Sequence, residues 1–233
     1  MTEDRDSRIA DALEQTKVLR PPRQALATFG ATIVRYYVVT EPSYAELPGG
    51  GGDTVVREGT VHAQQPQVVT PFYMLHLAGF SHEAQRFFQQ ELDQQGPHAL
   101  GLLYAYHNEP QGMNIVSGDL LSVAQRIGED LDRRGEQLAA VVKGVDALWD
   151  VSLLKFIYEI TQRSVAANAA ELGARGLLSF DARGVPQEAR QRIEELFLQV
   201  VRGKLDPAAL KRELDRWDLF EEYQDRFYAL FHR

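Results

Sequence analysis

Trp149-Asp150-Val151-Ser152-Leu153-Leu154-Lys155-Phe156-Ile157-Tyr158-Glu159-Ile160, running on to Arg175, is the stretch whose reading decides the fold. Apolar residues at Leu153, Phe156, Ile157 and Ile160, then Val165, Ala169 and Leu172, recur at helical spacing. Asp150 suits the N-cap, where a carboxylate accepts orphan backbone N–H groups. Trp149 before that cap and Leu154 after it form a hydrophobic staple. Gly176 supplies the stop, because the residue closing a helix commonly takes a positive φ. The spacing therefore predicts a long central helix over about 151–175, reaching roughly 36 Å at 1.5 Å per residue.

Upstream of it, Leu138-Ala139-Ala140-Val141-Val142 is a continuous apolar run, the pattern of a strand covered on both faces. Before that, Ser117 caps a helix through about Arg134, with Gly135 closing it. Leu102 to His107 and Met113 to Val116 read as paired strands around a turn at Asn108-Glu109-Pro110-Gln111-Gly112. The order from 101 to 175 is thus β-β-α-β-α.

The N-terminal half predicts an amphipathic helix over 5–19, ended by Pro21-Pro22, and a strand over 28–40 rich in β-branched and aromatic residues. The glycine run Gly49–Gly52 is no phosphate loop. It lacks the Gly-Lys-Ser/Thr ending and leads through Asp53 into another strand. Glu58-Gly59 reads as a two-residue hairpin between Thr54–Arg57 and Thr60–Ala63, with a short extended piece at Gln67–Val69. Thr70-Pro71 opens a short helix through Leu77, and Ser81 caps another to about Gln95. Beyond Gly176, helices start at Pro186, at Asp206-Pro207 and at Asp218, the last with Glu221 in a capping box. The fold class is α+β, predominantly helical, with a small mixed β-sheet. Residues 1–178 form the body, and 179–233 form a three-helix segment packed on it.

The chain has 233 residues, 44% of them apolar, which suffices for a substantial core. With 25 basic against 33 acidic residues it is acidic, and an acidic surface repels phosphate backbones, which argues against nucleic acid as a partner. Without cysteine there is no disulfide, thiolate nucleophile or cysteine-ligated metal. The charged start, Met1-Thr2-Glu3-Asp4-Arg5-Asp6, has no signal-peptide core, and no apolar run approaches the roughly 20 residues of a membrane span. A cytoplasmic, soluble protein with no membrane contact is the expectation.

No catalytic motif stands out. His62, His76, His82, His98, His107 and His232 are scattered over different elements, and His82-Glu83 lacks the second histidine of a metalloprotease helix, so neither metal nor cofactor is expected. Lys17, Arg20 and Arg23 make a basic cluster, read as solvated charge. His107-Asn108-Glu109 has acid–base residue types, yet turns collect such residues for backbone reasons. The strongest ligand candidates sit at strand–helix junctions, where free N–H groups gather. These are Ser117 and Asp119 at one junction, Lys143 and Asp146 at the other, with Trp149 as a wall for a ring. Should the two strands be parallel neighbours, the four polar residues meet at one edge and Lys143 neutralises an anion. Tyr223, Phe227 and Phe231 form an aromatic stripe suited to a subunit or partner interface. The leading functional reading is a non-catalytic cytosolic adaptor or regulator working through a protein partner or self-association. The alternative is an enzyme or sensor holding a small phosphorylated or nucleotide-like anion near Ser117 and Lys143.

Overall fold

The computed structural model describes residues 2–43, 52–70, 72, 73, 76 and 100–231. The chain is α+β, and its residues group into two compact units: 1–65 with 104–168, and 66–103 with 169–233. This grouping differs from a linear split after residue 178, because a chain excursion between two strands joins the C-terminal helices.

The first unit holds a mixed five-stranded sheet. Its strands are β1 (Lys17–Arg20), β2 (Thr32–Thr40), β3 (Asp53–Ala63), β6 (Tyr106–Ser117) and β7 (Ala139–Lys143), in spatial order β1-β7-β2-β3-β6. β7 runs parallel to β2, and the other pairings are antiparallel. Helix α1 (Thr2–Gln15) precedes β1, α2 (Leu120–Arg133) joins β6 to β7, and α3 (Trp149–Ala174) follows β7 after one 3-10 turn, Asp146–Leu148. Alternation divides the strands between two cores. Val34, Tyr36, Val38, Ala140 and Val142 pack with Leu153, Phe156, Ile157 and Ile160 of α3. Val39, Val56, Ala139 and Val141 pack with Leu120, Val123, Ala124 and Leu131 of α2. The apolar run over Leu138–Val142 is therefore a strand covered on both faces.

Several local readings change. The first helix ends at Gln15, and Lys17–Arg20 is an edge strand paired with β7. Thr16 turns the chain there, its hydroxyl bonding Ala12 C=O at 2.7 Å and Ser152 Oγ at 2.8 Å. Glu58-Gly59 is no hairpin but the middle of β3. Gly59 is needed for space, since a Cβ there would lie 2.6 Å from Glu109 O and against the Tyr36 ring. Asn108–Gly112 is no turn either. β6 runs straight through, with the register shifting between Glu58 and Gly59 so that Gln111 bulges. Ser117 ends β6, and Asp119 caps α2 by accepting Ser122 N–H at 3.0 Å. α3 begins at Trp149, and Asp150 lies in its first turn, accepting Val151 N–H. Leu154 is 63% exposed, so no staple forms. Gly176 takes φ 71° as the stop requires.

The second unit pairs β4 (Gln67–Val69) with β5 (Gly101–Leu103) and packs α4 (Gln187–Val201), α5 (Pro207–Arg216) and α6 (Phe220–Tyr228) around Phe197, Leu210, Leu214 and Trp217. Asp206 caps α5, with Pro207 in its first turn. Asp218 makes no capping box; it holds φ 54°, and Leu219 precedes α6 without a side-chain cap. Thr70 Oγ1 does accept Tyr73 N–H, but most of the helix expected through Leu77 lies outside the described residues, as do Gly49–Gly51, the helix from Ser81 to Gln95, His98 and His232. No helix among the described residues is long and apolar enough to cross a membrane.

Glu188 is buried in this unit, accepting Val68 N–H at 3.1 Å. Burial pushes its carboxyl up to about 7 despite that bond. A raised folded value means the folded chain holds the proton longer than the unfolded one. Its contribution is full below the unfolded value and is lost as pH rises through about 7, a span worth about 3 kcal/mol. Glu188→Gln keeps the acceptor and removes the titration. Urea unfolding at about pH 5 and about pH 8 should show wild type weakening at the higher pH relative to this variant.

Candidate functional site

β2, β6 and β7 all point their carboxyl ends to one edge of the sheet, and the chain leaving β7 lines a cleft there of about 450 Å³. Its walls come from Gln15 at the end of α1, Glu41 to Ser43 after β2, Leu120 at the start of α2, and Lys143 to Ala147. Gly144 is required where β7 meets α3, because a Cβ would stand 2.6 Å from Ser152 Oγ. Its N–H continues the ladder onto Val39 C=O at 3.0 Å.

Lys143 lines this cleft, half-buried, and its ammonium makes no hydrogen bond or ion pair with another described residue. Asp146 is fully engaged. Arg57 donates to it at 2.7 Å, Thr40 at 2.8 Å and the Ser43 hydroxyl at 2.8 Å. Burial pushes the Asp146 carboxyl up, but the bonds from Arg57, Ser43 and Thr40 and the guanidinium charge outweigh it and hold the carboxyl below its usual value. The Arg57 guanidinium also lies 5.7 Å from the Trp149 ring centroid, so that ring is a shelf for a protein cation.

The strands carrying the two junctions are parallel but not neighbours. β2 and β3 separate β6 from β7, placing Ser117 three strand spacings, roughly 14 Å, from Lys143. Ser117 donates to Asp53 at 3.2 Å, and Asp119 is spent as a helix cap. Neither lines the cleft, so the structure brings together Lys143 and Asp146 and leaves Ser117 and Asp119 apart. Arg57 and Thr40, the residues that organise Asp146, are invisible to sequence reasoning, since a mid-strand arginine offers no motif.

Other candidates resolve similarly. Arg20 and Arg23 both pair with Asp132, at 2.7 and 3.0 Å, which answers most of the N-terminal basic cluster. His107 sits opposite His62 across the β3–β6 pair, and both approach the Glu109 carboxylate, at 3.6 and 3.2 Å. Among the described residues, no group of three such side chains is placed to hold a metal ion. Of the aromatic stripe, Phe227 is buried in the second core and Tyr223 packs against it, leaving Phe231 exposed together with Tyr228. Phe227 is core rather than surface.

Removing Asp146 strands the Arg57 guanidinium without its carboxylate. Asp146→Ala should lower stability by roughly 2 kcal/mol, measured by denaturant titration followed through tryptophan fluorescence. No change would show that the pair adds no net stability.

Comparison with known families, with curated proteins and with solved structures finds nothing that matches this chain.

Proposed function

We propose that the protein is a non-catalytic adaptor or regulator of the cytoplasm that works through protein–protein contacts, made at the outer edge of β6. One observation carries this reading. β6 is 12 residues long, ends the five-stranded sheet, and is exposed along nearly its whole length. Among the described residues nothing pairs with its outer side. An uncovered strand edge is a row of unpaired N–H and C=O groups, the substrate of β-strand addition. Met113 and Ile115 stand on it 59% and 57% exposed, well above an ordinary core-forming position. A chain without cysteine suits the reducing cytoplasm.

A photo-cross-linking residue at position 115 should give protein adducts in cells, while the same group at Arg163, on the exposed side of α3, should not. Equal labelling at both positions, or none at 115, removes the reading.

The cleft at Lys143 favours a second reading, a sensor or enzyme for a small phosphorylated or nucleotide-like anion. Its volume is in the range of small-ligand sites, and Lys143 is a cation with no partner among the described residues. A ligand at 100 times its dissociation constant adds about 2.7 kcal/mol. Thermal-shift screening with nucleotides and phosphorylated metabolites should therefore find a stabiliser whose effect is lost in Lys143→Ala. An equal shift in that variant excludes this cleft.

A further inference from the structure

Resting on the reading of β6 as a contact edge, we infer that its occupant is a second copy of this chain, paired antiparallel about a two-fold axis at Ile115. The backbone groups that face outward decide the pairing. Gly118 N–H bonds Gly52 C=O at 2.6 Å, so residue 118 faces β3. In an antiparallel ladder facing alternates residue by residue. Gly112, Asn114 and Val116 therefore face β3, and Met113, Ile115 and Ser117 turn their N–H and C=O groups to the open side.

The other half of β6 is differently disposed. Gln64 N–H bonds Ala105 C=O at 2.9 Å, so Ala105, His107 and Glu109 face β3 and Pro110 faces outward. The bulge at Gln111 accounts for the change of parity between the halves. Proline has no N–H to give, so the outer ladder is interrupted there. What remains continuous is the segment 113–117, bounded by Pro110 and the bulge on one side and by Gly118, at φ 132°, on the other.

That segment is complementary to itself. With the axis at Ile115, Met113 faces Ser117 of the second copy, Ile115 faces Ile115, and Ser117 faces Met113. Every outward residue then meets an outward residue, giving about six backbone hydrogen bonds. Ile115 meets its own copy at the axis, and each Met113 reaches it diagonally across the pair. Both side chains lie on the α3 face of the sheet, opposite Val55 and Arg57 of β3. Pro110 to Gly118 contains no charged residue in a chain that is 25% charged. Two copies therefore meet without repulsion along this segment, and nothing in it selects a foreign partner by charge.

The test is sedimentation of the full chain over a wide concentration range, with Ile115→Lys and Ile115→Glu. Position 115 is exposed, so circular dichroism should show both variants folded. Wild type should dimerise. Each variant alone sets like charges opposite each other and should raise the dissociation constant by about tenfold or more. An equimolar mixture of the two should dimerise again, because lysine then faces glutamate. That rescue is peculiar to a position that faces itself. A monomeric wild type overturns the second-copy inference while leaving cross-linking to other proteins at 115 standing. A dimer indifferent to Ile115→Lys places the interface elsewhere, and failure of the mixture to pair moves the axis off Ile115.

Discussion

A buried polar row along α3 is the constraint on which the first unit depends. Ser152, Ser164 and Asn168 are all fully buried on a helix whose other inward residues are apolar. Ser152 accepts the Thr16 hydroxyl, Ser164 accepts Leu26 N–H at 3.0 Å, and Asn168 donates to Leu26 C=O at 2.9 Å and to Thr28 Oγ1 at 2.8 Å. Asn168 also accepts the Tyr104 hydroxyl at 2.7 Å, and Thr161 pairs with that of Tyr106. Lys155 closes the C-terminal end of α1 through Leu13 C=O at 2.7 Å and Thr16 C=O at 3.0 Å. Most of these partners sit in loops and at element ends, whose backbone has no ladder to join. A buried group left unpaired there costs about 1–3 kcal/mol. α3 thus covers the sheet and also fixes the path from α1 to β2 and the start of β6.

That double role explains which parts of the fold the sequence made legible. Leu153, Phe156, Ile157 and Ile160 announce a helix by spacing, and Leu138–Val142 announces a doubly covered strand by its lack of alternation. Both are signals of burial, and burial is written locally. The serines and Asn168 in the same helix carry no such mark, because their meaning lies in partners 64 to 142 residues away. The misread hairpins share a cause. Glu58-Gly59 and Asn108–Gly112 have turn composition, yet Gly59 is small to admit Tyr36 and Pro110 is tolerated because its nitrogen faces an unpaired edge. Glycine and proline report a local backbone or steric demand without saying which.

The cleft follows the same pattern. Lys143 and Asp146 are found from sequence because a strand running into a helix leaves polar groups at its carboxyl end. Their grouping with Ser117 and Asp119 fails on strand order, which no single-strand pattern encodes. β6 and β7 are parallel, joined through α2, and still two strands intervene. Arg57 reaches Asp146 from β3, and its ring contact with Trp149 turns a supposed ligand wall into part of an internal cation cage.

The exposure of β6 is a matter of dimensions. Five strands spaced about 4.8 Å apart spread the sheet over roughly 19 Å, whereas one helix with its side chains is about 10 Å across. α2 lies on one face and α3 on the other, and each spends its apolar stripe on the middle strands, where β7 and most of β2 are buried. β6 is two strands beyond β2, and between Tyr106, which meets Thr161 of α3, and Val116, which packs on the α2 side, it lies outside the reach of either helix. A sheet this wide with one long helix per face must leave an outer strand bare or find cover for it. Proline and a bulge close half of that edge to further pairing, and uncharged residues keep the other half open. Charge is one of the devices that keep a strand edge from associating, and the half over 113–117 carries none.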